Sequence, residues 1–198
     1  MSSYYLSPWV WLRRFRHRCG YGVHSPYAFD FIAGVIYERS AYYAYSRLDQ
    51  LLPRWTRRLG LRPRKLMRLL FRLANFAHPR RGLLLTADEV ARAYMQAAVP
   101  SARWSLDMAD APAAFDFVYL DCPPSVSPAT PADGSSPSLL LDRVHPDSVL
   151  VLGRLRSNLP LWQGLLADPR VAISFDLYDV GILMFNKRLN RQDYIVNF

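Results

Sequence analysis

The chain has 198 residues, 51% of them apolar, which is enough for one hydrophobic core and excludes a largely disordered protein. No apolar run is long enough to span a membrane, and the first residues lack the charged start and cleavage site of a signal peptide. Two distant cysteines, Cys19 and Cys122, and four histidines without metal-ligand spacing predict free thiols, a cytoplasmic protein and no metal site.

The charge is divided unevenly along the chain. Residues 1–81 contain 16 Lys and Arg against 3 Asp and Glu, a net charge of +13, whereas residues 82–198 have a net charge of −4, which together give +9. This asymmetry suggests an acidic partner for residues 1–81, such as a nucleic acid, an acidic protein or a membrane surface. A solvated arginine-rich helical face explains the same charge, so both interpretations stay open.

The first part of the chain is expected to be helical. Residues 5–18 mix aromatic and basic residues as an amphipathic helix does, and Ser25 followed by Pro26 is typical of a helix start. That second helix should extend to about Arg39. Its predicted buried residues are Phe29, Ile32, Ala33 and Ile36.

Two further helices are predicted before residue 82. One covers residues 42–59, where Pro53 limits or kinks it. The other covers Leu61–His78, with Arg68 and Arg72 among the cations on its polar side. Its apolar residues recur at helical spacing: Leu66, Leu69, Leu70, Leu73 and Phe76. Residues 1–81 are therefore predicted to be a basic helical region, and residues 82–198 a separate domain.

The second domain begins with a strand–helix–strand pattern. Leu83–Leu85 is a short apolar run, typical of a buried strand, and the next helix should cover residues 88–98 and end before Pro100. Thr86 and Glu89 have the spacing of a capping box at its start. A second strand follows at Trp104–Leu106. This order demands a parallel sheet, which makes the fold class α/β.

Ligands bind outside the carboxyl ends of strands in such sheets. The residues expected at that edge, and therefore our candidate ligand-binding residues, are Thr86, Ala87, Asp88 and Asp107.

The remaining pattern extends the sheet. A third strand starts at Phe115 and ends at Asp121, followed by a loop rich in proline and serine over residues 123–138. Further elements are expected at residues 138–143 (helix), 149–152 (strand) and 160–166 (helix). Strands over 171–177 and 181–186 are too close for a crossover and should pair antiparallel, and residues 194–196 add an edge strand.

Three segments carry a resemblance to a known family. Residues 21–32 are similar to a "yGvHSPfvfdfi" segment, residues 68–79 to "qLLFRLvNyf-p", and residues 175–187 to "idLfdvGivff-k". The chain resembles a bacterial family of class I S-adenosylmethionine (SAM) dependent methyltransferase-like proteins, related to the O-methyltransferases. The segments lie near both ends and in the middle of the chain, and they are largely scaffold motifs.

The resemblance implies a Rossmann-like sheet with a C-terminal antiparallel strand pair, SAM as cofactor, and two roles for acids. Asp107 is similar to the acid that binds the ribose hydroxyls of SAM at the end of the second strand. Asp121 matches a strand-end acid that lies near the transferred methyl group and that binds a metal in some relatives.

The departures from the family pattern lie where the chemistry is expected. A glycine turn preceded by an acid follows the family's first strand, but this chain has Leu85-Thr86-Ala87-Asp88 there. The family's next helix and strand, which wall the adenine, are missing, because only residues 108–114 separate Asp107 from the third strand. The family's acidic pair after the fourth strand is replaced by Gly153-Arg154-Leu155-Arg156, which leaves a metal too few oxygen ligands.

Three hypotheses follow. The favoured one is a degenerate family member with weakened or lost SAM binding, which acts as a scaffold or as the partner of an active paralogue in an oligomer. The second is an active methyltransferase that uses Asp107 for the ribose and Asp121 at the transferred methyl. The third is a nucleic-acid-binding module that uses the arginine-rich helices of residues 1–81.

Overall fold

The computed structural model describes residues 25–52, 62–108, 114–121 and 138–198, together with Arg14 and Val23. The predicted helix over residues 5–18 and the loop after Asp121 therefore lie outside the described residues. The chain divides into two compact units. The first comprises Met1–Phe76, Asp88–Pro100 and Val196–Phe198, and the second comprises Ala77–Ala87 and Ser101–Ile195. The predicted boundary between residues 81 and 82 stays a prediction.

Local sequence signals explain where the first helix of the first unit begins. The first begins as predicted, because the Ser25 hydroxyl accepts a hydrogen bond from the Ala28 N–H at 3.4 Å and proline occupies the first helical position. The α-helices are α1 (Pro26–Phe31), α2 (Tyr45–Leu48), α3 (Arg62–Ala77) and α4 (Glu89–Ala98). α1 continues as a π-helical turn over Ile32–Ile36, and α2 continues as a 3-10 turn over Asp49–Leu51.

The predicted buried face of the first helix is partly wrong. Phe29 is 47% exposed and Ala33 is exposed, and the helical segment ends at Ile36 rather than near Arg39. The buried residues are Ala28, Phe31, Ile32, Val35 and Ile36. This second stripe also has helical spacing, and it buries Phe31 and Val35 in place of Phe29 and Ala33.

Aromatic packing builds the core of the first unit. The Phe71 ring of α3 lies 5.1 Å from the ring of Tyr42 and 5.2 Å from that of Tyr45, both edge-to-face. Arg72, predicted on the polar side of the helix, is only 6% exposed. Its Nε donates to the Val35 carbonyl at 2.7 Å and its Nη2 to the Ile36 carbonyl at 3.0 Å. It therefore satisfies carbonyls at the end of the π-helical turn, which have no partner within the helix.

The second unit contains a seven-stranded sheet in the order β2-β1-β3-β4-β6-β5-β7. The strands are β1 (Arg81–Thr86), β2 (Arg103–Ser105), β3 (Phe115–Asp121), β4 (Val144–Leu152), β5 (Ile173–Asp176), β6 (Gly181–Met184) and β7 (Gln192–Ile195). β6 is antiparallel to both of its neighbours, and every other pair is parallel. The prediction of a mostly parallel α/β sheet with a C-terminal antiparallel pair is confirmed.

Runs of consecutive buried residues in β3 and β4 show that both faces of the sheet are covered. β4 begins five residues earlier than predicted, at Val144, and its pairing with β3 shifts register between Phe115 and Phe117. Helices α5 (Ser138–Leu141) and α6 (Leu159–Ala167) lie near their predicted positions. Trp162 of α6 packs so closely on β6 that a Cβ at Gly181 would lie 2.4 Å from its ring. Any side chain there would displace the indole.

The predicted capping box at Thr86 is wrong. Thr86 is the last residue of β1, and the N-cap of α4 is Asp88. Asp88 has an extended backbone, and its Oδ1 accepts from the N–H groups of Val90 at 2.9 Å and Ala91 at 3.1 Å. The strand continues one residue further than its apolar run, to Thr86, and this moves the cap to the next suitable side chain.

No helix in the described parts of the chain is both long and apolar enough to cross a membrane.

Candidate functional site at the carboxyl edge of the sheet

Three neighbouring strands bring their ends together at the carboxyl edge. Thr86 at the end of β1 and Asp121 at the end of β3 are direct partners in the parallel ladder. Beyond β4, the Gly153 N–H donates to the Leu120 carbonyl at 2.7 Å. Thr86, Asp121 and Gly153 therefore lie side by side at the edge where parallel sheets bind ligands.

Asp121 is held by an arginine from the segment after β4. Nε of Arg154 donates to Oδ1 of Asp121 at 2.8 Å, and the Asp121 side chain is 12% exposed while that of Arg154 is 38% exposed. A Cβ at Gly153 would lie 2.9 Å from the Cβ of Asp121, so glycine is what allows this approach. The negative charge of Asp121 is therefore compensated within the chain.

Arg154 makes this contact from an unusual backbone conformation. Its φ is 48° and its ψ is 39°, in the left-handed region that residues other than glycine seldom adopt. Such a conformation costs about 1 kcal/mol and persists only where surrounding contacts enforce it.

A second arginine of the same segment binds a second strand-end acid. Nη2 of Arg156 lies 2.8 Å from Oδ1 and 2.6 Å from Oδ2 of Asp176, the last residue of β5. The guanidinium lies over the Tyr178 ring at 4.7 Å, and the Tyr178 N–H donates to Asp176 at 2.7 Å. The segment that follows β4 thus supplies a cation to a carboxylate on each side of it.

The other predicted site residues are more exposed. Ala87 follows β1 and is exposed, and Asp88 is exposed and serves as the N-cap of α4. Asp107 lies two residues beyond β2 and is exposed. β2 lies at the edge of the sheet, with no further strand beyond it in the described chain.

No group of three or more His, Cys, Asp or Glu in the described residues is arranged to hold a metal ion. The Arg154 guanidinium, rather than a second acid, lies against the Asp121 carboxylate. The described part of this edge therefore lacks the clustered oxygen ligands that hard cations require.

A serine, a histidine and an aspartate also meet at the opposite, amino edge of the sheet. Nε2 of His145 lies 2.8 Å from Oδ1 of Asp116, and its Nδ1 accepts from the Asp147 N–H at 3.2 Å, which leaves the proton on Nε2. The Ser148 hydroxyl donates to the Phe115 carbonyl at 2.6 Å and accepts from the His145 backbone N–H at 2.8 Å.

The serine, histidine and aspartate at the amino edge have a structural role rather than a catalytic one. The hydroxyl of Ser148 does not donate to the imidazole, so no base is placed to activate it. Oδ2 of Asp116 accepts from the N–H groups of Arg80 at 2.7 Å and Arg81 at 2.8 Å. Burial alone would raise the pKa of Asp116, but these N–H groups and His145 outweigh burial and lower it.

The sequence did not identify Arg154 and Arg156 as partners of strand-end acids. The signal was present as a glycine followed by two arginines after a buried strand, but the acids that they bind lie 33 and 20 residues away. Only the strand order places them together.

No protein-family model and no curated protein matches this chain. Solved structures of similar fold include the SAH-bound methyltransferase PaMTH1 of Podospora anserina, with a TM-score of 0.51 and 11% identity over 81% of this chain and 96% of that chain. Another is an O-methyltransferase from Bacillus cereus in complex with SAH, with a TM-score of 0.41 and 13% identity over 78% and 95%.

A third is the O-methyltransferase TomG of Streptomyces achromogenes, involved in tomaymycin synthesis and solved with SAM, with a TM-score of 0.36 and 19% identity over 66% and 71%. At these identities the likeness concerns the fold alone. It rests on the match to the Podospora enzyme, with its TM-score of 0.51. The chain has the α/β fold of the class I methyltransferases.

Proposed function

We propose that this protein is a methyltransferase-like protein whose SAM binding is weakened or lost, and that it acts as a scaffold or as the partner of an active paralogue. The observation that carries the proposal is the ion pair between Arg154 and Asp121 at the carboxyl edge.

The charge of Arg154 argues against a SAM site at this edge. SAM carries a positive sulfonium at the methyl group to be transferred, and Asp121 occupies the strand end where the resemblance places that methyl. A guanidinium bound to Asp121 both removes its negative charge and repels a second cation. An active site here would require Arg154 to leave its partner.

The end of β1 supports the same proposal. A cofactor that approaches backbone closely needs glycine at the turn, because a side chain would occupy the same space. Here the strand ends in Leu85 and Thr86, followed by Ala87, and the ladder with Asp121 holds Thr86 in place. No glycine and no carboxylate replace those that the resemblance implies at this position.

An active SAM-dependent methyltransferase is the second candidate. The observation in its favour is the fold likeness to the SAH-bound Podospora enzyme, which extends over 96% of that chain. In this alternative Asp107 binds the ribose, with Thr86, Ala87 and Asp88 beside the cofactor, and Asp121 lies at the transferred methyl. A nucleic-acid or acidic-protein partner at residues 1–81 rests on their net charge of +13 and is compatible with both candidates.

Calorimetric titration of the purified protein with SAM and with SAH tests the proposal. We expect no saturable heat up to about 1 mM ligand, which corresponds to binding weaker than about −4 kcal/mol. Circular dichroism establishes that the protein is folded under the same conditions. Micromolar binding that Asp107→Ala abolishes would contradict the proposal and establish Asp107 as a cofactor ligand.

A further inference from the structure

The first unit contains a cavity of about 470 Å³. Its lining comes mainly from α3, from residues 36–40 at and after the end of the first helical segment, and from Asn197 and Phe198. This volume lies within the range of about 300–1,000 Å³ typical of small-molecule sites. Four of its lining side chains are cations, Arg39, Lys65, Arg68 and Arg72, whereas Glu38 is its one acidic side chain.

Arg72 is the buried cation of this cavity. It is 6% exposed, and it donates hydrogen bonds to the carbonyls of Val35 and Ile36. No carboxylate in the described residues forms an ion pair with it. The carboxylate of Glu38 also lines the cavity and interacts electrostatically with Arg72, without an ion-pair contact. A buried charge without a contacting counter-charge is costly, and an anion bound in the cavity would reduce that cost.

The other charged groups leave the cavity positive. Nη2 of Arg68 binds Oδ2 of Asp49 at 2.6 Å, so this arginine has its own counter-charge. The Glu38 carboxylate accepts from the Ser40 N–H at 2.7 Å. Arg39 is exposed at the rim, and the Lys65 ammonium lies 3.9 Å above the Phe198 ring. Arg39 and Lys65 therefore line the same cavity as a guanidinium that is held by backbone carbonyls.

The chemistry of these groups favours a phosphate ester. A guanidinium presents its donors in a planar fork that matches phosphate oxygens, and lysine binds phosphate as a point charge. Tyr37, Tyr45 and Phe198 also line the cavity, which leaves room and aromatic surface for the organic part of such a ligand.

We infer that this cavity binds a small, soluble phosphate monoester, with Arg72 at the phosphate and with Arg39 and Lys65 contributing further positive charge. The inference goes beyond the proposed function and is independent of it, because all the residues that it uses belong to the first unit.

Titration with phenyl phosphate, followed by protein NMR, tests the inference, with phenol as the uncharged comparison. Saturable shifts of residues that line the cavity are expected with phenyl phosphate and are not expected with phenol. The double variant Arg39→Gln/Lys65→Gln should weaken binding roughly tenfold or more, since each cation contributes a charge-assisted contact. Both side chains are exposed, so this variant should stay folded.

The matched control is Arg47→Gln, because Arg47 is an exposed arginine of the same unit that does not line the cavity. It should leave the affinity unchanged. Arg72→Lys keeps the charge but loses the fork, and should also weaken binding. Absence of saturable binding at about 10 mM phenyl phosphate would overturn the inference. Equal affinity in the double variant and the control, or binding only to vesicles that contain phosphatidic acid, would overturn it as well.

Discussion

The two edges of the sheet satisfy their carboxylates in different ways. At the amino edge, Asp116 accepts from two backbone N–H groups and from His145, beside a buried serine that binds the backbone. At the carboxyl edge, Asp121 and Asp176 accept from the side chains of arginines that are 38% and 35% exposed. One edge uses fixed donors, and the other uses flexible ones.

The contacts at the two edges should therefore contribute differently to the stability of the fold. Asp116 at the amino edge accepts from two backbone N–H groups and from His145, so its loss removes three contacts at once and that edge should be important for stability. At the carboxyl edge, an exposed arginine that loses its carboxylate partner can be solvated by water. The carboxylates of the carboxyl edge are therefore held by contacts whose loss should cost less than that of the contacts at the amino edge.

The largest effect is expected from Asp116→Ala. The substitution removes the acceptor of two backbone N–H groups and of His145, and should lower the free energy of unfolding by about 2 kcal/mol. Urea denaturation at neutral pH measures this loss. The matched Asp121→Ala at the other edge should cost less than about 1 kcal/mol, because an exposed arginine can turn to solvent. Equal losses at the two edges would contradict the comparison.

The pH dependence of stability should distinguish the same two edges. The folded-state pKa of Asp116 is lowered from 3.8, because its N–H donors and His145 outweigh the opposing effect of burial. Its contribution is therefore present above the unfolded pKa and is lost as the pH falls through the folded value. Denaturation curves between pH 6 and the acid limit should show a shallower loss for Asp116→Asn than for the unmodified protein. An unchanged slope would mean that other carboxylates, such as Asp49 and Asp168, dominate it.

The smallest effect is expected from Arg154→Gly. Glycine adopts the left-handed backbone without strain, which gains about 1 kcal/mol, while the lost ion pair costs up to about 1 kcal/mol. The free energy of unfolding should therefore change little, whereas Arg154→Ala, which keeps the strain and loses the pair, should destabilise the protein. Thermal unfolding of the two variants side by side gives the answer. A clear loss in the glycine variant would show that the ion pair outweighs the strain.

Much of the fold could be predicted because local signals agreed with the final packing. Helix α3 combines apolar residues at helical spacing with a proline near its start, and β3 contains the apolar run Phe117–Leu120 shortly before two prolines. The antiparallel pairing of β5 and β6 followed from the short connection between them. In these elements propensity, pattern and turn chemistry led to one answer.

The errors arose where the tertiary structure decides between local alternatives. Thr86 and Asp88 are both suitable N-caps, and only the length of β1 selects Asp88. Arg72 has the position of a surface cation by its spacing, yet carbonyls from the first helical segment make its burial possible. Of the candidate site residues, the structure makes Thr86 and Asp121 neighbours, and the roles of Ala87, Asp88 and Asp107 stay predictions.

The measurement that tests the central claim most directly is an NMR titration of the isotope-labelled protein with SAH. SAH lacks the sulfonium charge, so its binding does not depend on repulsion by Arg154. Our account predicts no saturable shifts of the amide signals of Thr86, Ala87, Asp107 and Asp121 up to about 1 mM ligand. Saturable shifts confined to these residues, at micromolar ligand, would contradict it and identify the carboxyl edge as a working cofactor site.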